Sequence, residues 1–139
     1  MQILFRRIAP EASLPRRHTP QDAGLDVFTN EARVLEPGET HTFTTGISSE
    51  FPAGYVALIW DRSGLAARGI HTLAGVIDAG YRGEWKIVLH NASSTAVTIQ
   101  KGDRIAQVLL QKAEQVDVKE AAELSASTRG ASGFGSSGR

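Results

Sequence analysis

A chain of 139 residues is short enough to be one domain. Its 15 Lys+Arg against 15 Asp+Glu leave no net charge, which argues against sequence-blind binding to a polyanion such as nucleic acid. The absence of Cys excludes disulfides and thiolate metal sites, and the longest apolar run, residues 55–60, is far too short to span a membrane. No apolar leader follows Met1, so a soluble, cytoplasmic protein is expected. An anionic ligand would have to be held by local arginines and backbone N–H groups.

In chain order, Ile3, Phe5 and Ile8 predict a short first strand or extended arm, and Pro10, Pro15 and Pro20 then break regular structure. Leu25, Val27 and Thr29 alternate with Asp26 and Phe28, a strand entrance with Asp26 near its start. Val34 and Leu35 precede a Glu36-Pro37-Gly38-Glu39 turn, and residues 40–47 are β-branched and aromatic. A turn over residues 51–55 leads to the apolar run 56–60, suited to a strand buried on both faces. Residues 61–68 interrupt the β pattern. Asp61 or Ser63 can cap a short helix that Gly69 stops. The N–H groups opening it, beside Arg62 and the Ser63 hydroxyl, suit phosphate, although an ordinary connecting helix would look the same.

Residues 75–85 read as a β-hairpin, with Gly80 and Gly83 giving the bend its backbone freedom. Asp78, Tyr81 and Arg82 crowd that bend, more chemistry than a connector needs. Two further strands, 96–99 and 104–110, flank a turn at 100–103. Val116 and Val118 suggest a last strand, with a helix over 119–124 as the lesser alternative. Residues 125–139 are rich in Gly and Ser and cannot build a core. They read as a mobile tail, or as a donor-rich segment whose backbone wraps phosphates and whose Phe134 covers a base. Many strands and few helices point to a sandwich, jelly roll or small barrel.

Five of these segments, in order, resemble the five motifs of the trimeric dUTP pyrophosphatase (dUTPase) family. They are Ala23-Gly24-Leu25-Asp26, Arg62-Ser63-Gly64-Leu65-Ala66, the stretch 75–84, Lys101-Gly102-Asp103-Arg104-Ile105-Ala106-Gln107, and the Gly-rich tail from Arg129. The resemblance covers nearly the whole chain, and the stretch 75–84 is its most specific part. It implies an all-β, jelly-roll-like sandwich or distorted barrel with one short helix. It also implies a homotrimer with active sites at the subunit interfaces. Residues 1–124 would form the core, and residues 125–139 a flexible arm closing over a neighbour's site.

The implied reaction is hydrolysis of dUTP to dUMP and pyrophosphate by water attack at the α-phosphorus, limiting uracil in DNA and supplying dUMP for dTMP synthesis. Asp78 would orient and deprotonate the water. Mg2+ would bridge the phosphates and keep several waters, one of them held by Asp26 in the outer shell. Arg62, Ser63 and Gly64 would bind phosphate oxygens, with Gln107 adding a polar contact. From the arm, Arg129 would neutralise the γ-phosphate, and Gly135, Ser136 and Ser137 would add donors. Tyr81 would lie under the sugar and exclude a 2′-hydroxyl, Gly75 and its neighbours would read the uracil edge, and Phe134 would stack on the base.

Three positions depart from the family's common pattern. Asp61 stands where Pro usually precedes Arg-Ser-Gly, and would cap the helix, pair with Arg62 or weaken triphosphate binding. Gly80 replaces a frequent acid, and Ser132 a tail Gly. Arg82 and Glu84 read as structural, an intersubunit pair. Two alternatives stay open: a dCTP deaminase-type enzyme, and a non-catalytic dUTPase-like regulatory binding protein. Neither nucleic acid nor membrane is expected as a partner.

Overall fold

The computed structural model describes residues 2–133. Eleven strands and one short helix alternate in the order β1 (Leu4–Arg7), β2 (Leu25–Phe28), β3 (Arg33–Leu35), β4 (Thr40–Thr44), β5 (Ile47–Glu50), β6 (Tyr55–Trp60), α1 (Ser63–Ala66), β7 (Ile70–Leu73), β8 (Val76–Asp78), β9 (Lys86–Asn91), β10 (Val97–Ile99) and β11 (Arg104–Lys112). All pairings are antiparallel. A four-stranded sheet runs β2-β11-β6-β8, a three-stranded sheet β4-β9-β7, and the pairs β1-β5 and β10-β3 complete the set. The sandwich half of the expected architecture holds. No sheet among the described residues closes into a barrel.

Alternation decides which side chains fill the core. On β9, Ile87, Leu89 and Asn91 point inward between Lys86, Val88 and His90. They pack with Phe43, Ile47, Leu35 and the fully buried Trp85. Trp85 meets the edge of Phe5 at 5.3 Å and donates its indole N–H to the Ser49 hydroxyl, so its one polar atom is satisfied. Asn91 is equally buried and satisfied, donating to the Leu35 and Thr95 carbonyls.

The structure departs from the sequence pattern at five places. The run 56–60 is buried on one face only. Ala57 and Ile59 enter the core, whereas Trp60 is 53% exposed. The run 40–47 is broken at Gly46, whose φ of 70° turns the chain from β4 into β5. The segment 75–85 is not a hairpin. β8 pairs with β6 in one sheet, while β9 pairs with β4 and β7 in the other. The chain crosses from β7 in the second sheet to β8 in the first at Ala74 (φ 60°) and Gly75 (φ 138°), where the Gly75 carbonyl accepts the Ile59 N–H at 2.8 Å, and returns to the second sheet over residues 79–85.

The glycines of that bend also act differently from expectation, because neither Gly80 nor Gly83 has a positive φ. Gly83 leaves room for the Tyr81 ring to fold back: a Cβ there would collide with the Tyr81 phenol and force it to swing away. A Cβ on Gly80 would meet nothing. Finally, Val116 and Val118 join no strand. They are 75% and 92% exposed beyond the end of β11, and a strand needs a neighbour that the single chain does not offer there.

Candidate active site

A cleft of about 940 Å³ opens where β6 ends and β2, β11 and the start of β8 converge. Its wall includes Asp22, Gly24, Asp26, Trp60, Asp61, Arg62, Ser63, Gly75, Arg104 and Gln107. Four candidate groups named from the sequence (Asp26, Arg62, Ser63 and Gln107), together with Gly75, therefore meet in one place.

A bulge arranges part of this wall. Side chains three apart on a regular strand face opposite ways. The register of β11 against β2 shifts between Arg104 and Ala106, and both Arg104 and Gln107 consequently line the cleft. Gln107 donates its amide N–H to the Asp61 carbonyl at 2.8 Å. Its amide oxygen lies so close to Gly24 that a Cβ there would approach to 2.6 Å. The glycine of the first motif is thus the seat of the glutamine of the fourth.

Asp26 is a knot of charge. Its Oδ1 accepts from Arg62 Nε at 2.9 Å and its Oδ2 from Arg104 Nη1 at 3.3 Å, with the side chain 14% exposed. Arg62 donates further to the Arg104 carbonyl at 3.0 Å. Two of its five N–H donors are therefore taken, and the rest remain for a ligand. The short helix α1 has no side-chain cap and no acid in its first turn. The expected capping by Asp61 or Ser63 does not occur, because Asp61 turns to β7 instead. Its Oδ1 accepts the Thr72 N–H at 2.6 Å and the Thr72 hydroxyl at 2.7 Å, and its Oδ2 pairs with His71 Nδ1 at 3.0 Å. Burial pushes the Asp61 carboxyl upward, but the Thr72 and His71 bonds outweigh it and hold the group below the usual carboxylate range.

Asp78 and Tyr81 lie elsewhere, in a hollow of about 220 Å³ bounded by Val76, Ile77, Glu84, Trp85 and Lys86. Val76 borders both hollow and cleft. Tyr81 is half exposed, folds over Gly83 and donates its hydroxyl to the Glu84 carbonyl at 3.0 Å. Glu84 accepts the Gly46 N–H at 2.8 Å, and Arg82 donates to the Ala79 and Tyr81 carbonyls, so both residues hold the loop within the chain. Gly64 lies on the far side of Arg62, in a smaller recess with Arg68 and Arg104. Arg129 lines none of these clefts and donates to the Ser132 carbonyl in a local turn. Phe134, Gly135, Ser136 and Ser137 lie outside the described residues. Sequence reasoning gave no role to Arg104 or Gly24, although both stand inside quoted motifs.

The fold and cleft define a nearly all-β protein with an arginine-lined recess suited to a polyphosphate. The dUTPase family model matches residues 10–138, and the chain belongs to that family. It is 49% identical to the deoxyuridine 5'-triphosphate nucleotidohydrolase of Thermobifida fusca, over 99% of this chain and 79% of the relative. A dUTPase mutant of Staphylococcus bacteriophage 80alpha, solved with dUpNHpp, superposes with a TM-score of 0.91 at 30% identity, covering 99% of each chain. The dUTPase of phage phi11 of S. aureus, a mutant described for its coordination of a structural Mg(II) ion, superposes at 0.83 with 26% identity. That match covers 91% of this chain and 100% of the phage protein. No helix among the described residues is long and apolar enough to cross a membrane.

Proposed function

We propose that this chain hydrolyses dUTP to dUMP and pyrophosphate, as a cytoplasmic homotrimer whose active sites are shared between subunits. Its role is then to limit uracil in DNA and to supply dUMP for dTMP synthesis. The observation that carries the reading is the separation of the two half-sites. Arg62, Ser63 and Gln107 lie on the large cleft, whereas Asp78 and Tyr81 lie in their own hollow. A symmetric ring, in which one chain's hollow faces the next chain's cleft, completes the set.

In that assembly Asp78 accepts the proton of a water as its oxygen attacks the α-phosphorus. The bond from that phosphorus to the bridging oxygen breaks, and pyrophosphate leaves. Arg62, the Ser63 hydroxyl and the N–H of Gly64 bind phosphate oxygens at the opening of α1. Arg129 and the Phe134-Gly135-Ser136-Ser137 segment close the site from the arm. Positioning and charge compensation supply most of the acceleration. Tyr81 packs against the sugar, and the backbone around Gly75 reads the uracil edge. Cytosine reverses the donor and acceptor order there, leaving buried groups unpaired at about 1–3 kcal/mol each.

The donor set fits Mg2+ carried by the substrate. Among the described residues no three His, Cys, Asp or Glu side chains gather into a metal cage. Asp26 presents one carboxylate at the cleft, already compensated by two arginines. Asp26 would hold a hydrated ion that arrives with the substrate, through a water and not by direct ligation. Bound there, the ion would neutralise charge on the phosphate chain.

The test is pyrophosphate release with Mg2+ from dUTP, dCTP, dTTP and UTP, run with the wild type and with Asp78→Asn. The reading predicts turnover of dUTP alone, lost in Asp78→Asn while dUTP still binds. Ammonia release from dCTP would replace it with deamination. Binding without turnover in the wild type would replace it with a regulatory role.

A further inference from the structure

We infer that Asp61 is a positioning residue, which fixes the phosphate-binding turn by fastening it to β7 in place of the proline common at this position. The inference rests on the dUTP reading above. The turn needs such a fastening. α1 is a single helical turn with no side-chain cap and no acid in its first turn, so it has little stability of its own. What orients it is the residue before Arg62. Asp61 takes the Thr72 N–H and hydroxyl on one oxygen and His71 on the other. Its carbonyl takes the Gln107 amide at 2.8 Å. One residue therefore joins the end of β6 to β7 and β11 immediately before Arg62 and Ser63. A proline restrains its own φ. Asp61 restrains the same joint by cross-linking it to a neighbouring strand.

The same bonds explain how a carboxylate is tolerated beside a binding site for a tetra-anion. Its two oxygens are engaged by three donors of β7.

The experiment measures affinity for dUpNHpp and for dUMP, together with steady-state constants for dUTP, in Asp61→Ala, Asp61→Asn, Thr72→Val and the Asp61→Ala/Thr72→Val pair. Asp61→Ala is expected to weaken dUpNHpp binding about tenfold, the size of one lost charge-assisted hydrogen bond, and to raise KM more than it lowers kcat. The affinity for dUMP, which lacks the β- and γ-phosphates, changes little. Asp61→Asn, which can still accept from Thr72, recovers most of the loss. The double variant is no worse than Asp61→Ala alone, because both substitutions break one link. Equal loss for dUpNHpp and dUMP would reduce Asp61 to general stability, and unchanged affinities would remove its role. Tighter dUpNHpp binding in Asp61→Ala would make the carboxylate a repulsive element. A wild type that does not bind dUpNHpp would instead overturn the dUTP reading itself.

Discussion

Gly75 carries a φ of 138°, and a Cβ there would sit 3.0 Å from the Ile59 carbonyl oxygen. That carbonyl belongs to backbone and cannot swing aside as a side-chain tip could. Gly75→Ala is therefore expected to cost about 1–3 kcal/mol through strain in a sparsely populated backbone region, read as a lowered urea midpoint. An unchanged midpoint would show that the joint between the sheets relaxes freely. The position matters because it delivers β8, and with it Asp78, to the edge of the four-stranded sheet. At this scale the sequence was legible in its residue types and silent about their partners. Asp78, Tyr81 and Arg62 could be singled out from the motifs. The pairing of Asp26 with Arg62 and Arg104 depends on strands dozens of residues apart being brought alongside, and that of Asp61 with Thr72 and His71 on the turn through α1 folding β7 back against the end of β6.

Among the elements, Glu31 ties the β2–β3 connection to β4, beside the Asn30 N–H that donates to the Thr44 carbonyl at 2.8 Å. The Glu31 carboxylate accepts from the Thr44 N–H and hydroxyl and from His41. Burial pushes the Glu31 carboxyl upward, but these bonds outweigh it and hold the group below its ordinary value of 4.5. A carboxyl lowered on folding contributes stability that is present above its unfolded value and is lost as pH falls through the folded one. Glu31→Gln should therefore flatten the acid limb of a stability-against-pH curve below about pH 4.5 while also lowering the neutral plateau. A variant with the wild-type acid slope would assign that slope to other carboxylates.

The C-terminal arm is the other test at this scale. Truncation before Arg129 removes none of the core residues among those described, so the shortened chain should keep its urea midpoint yet lose most dUTP turnover. Normal turnover would leave the segment as a tail only. Most strand positions were readable from alternation and turn residues, but β5 and β7, whose polar Ser48-Ser49 and His71-Thr72 pairs interrupt the apolar pattern, were not, and Val116 and Val118 suggested a strand that does not form. The assignment of β8 and β9 to different sheets was not readable, because a hairpin and a sheet-to-sheet crossover share the same local pattern of apolar runs around glycines. The bulge near Ile105 left no mark either. It exists only in the register of β11 against β2.

For the whole molecule, Trp60 and Val76 on the four-stranded sheet, and Tyr81 just beyond β8, are exposed on the single chain at the borders of cleft and hollow. Large apolar side chains gathered beside a site suit coverage by another subunit. The sequence pointed to that assembly only through family resemblance, since an interface between identical chains has no signature in periodicity.

Whether one subunit's Asp78 works with another subunit's Arg62, as proposed, is decided by co-assembly of two inactive variants. Asp78→Asn and Arg62→Ala chains, each inactive alone, are to be unfolded together, refolded as mixed oligomers and assayed for pyrophosphate release from dUTP. Random mixing in a ring should restore about a quarter of wild-type activity, because one site in four then draws Asp78 from one variant and Arg62 from the other. No recovery in verified mixed oligomers would contradict the account, placing both groups of each site on a single chain.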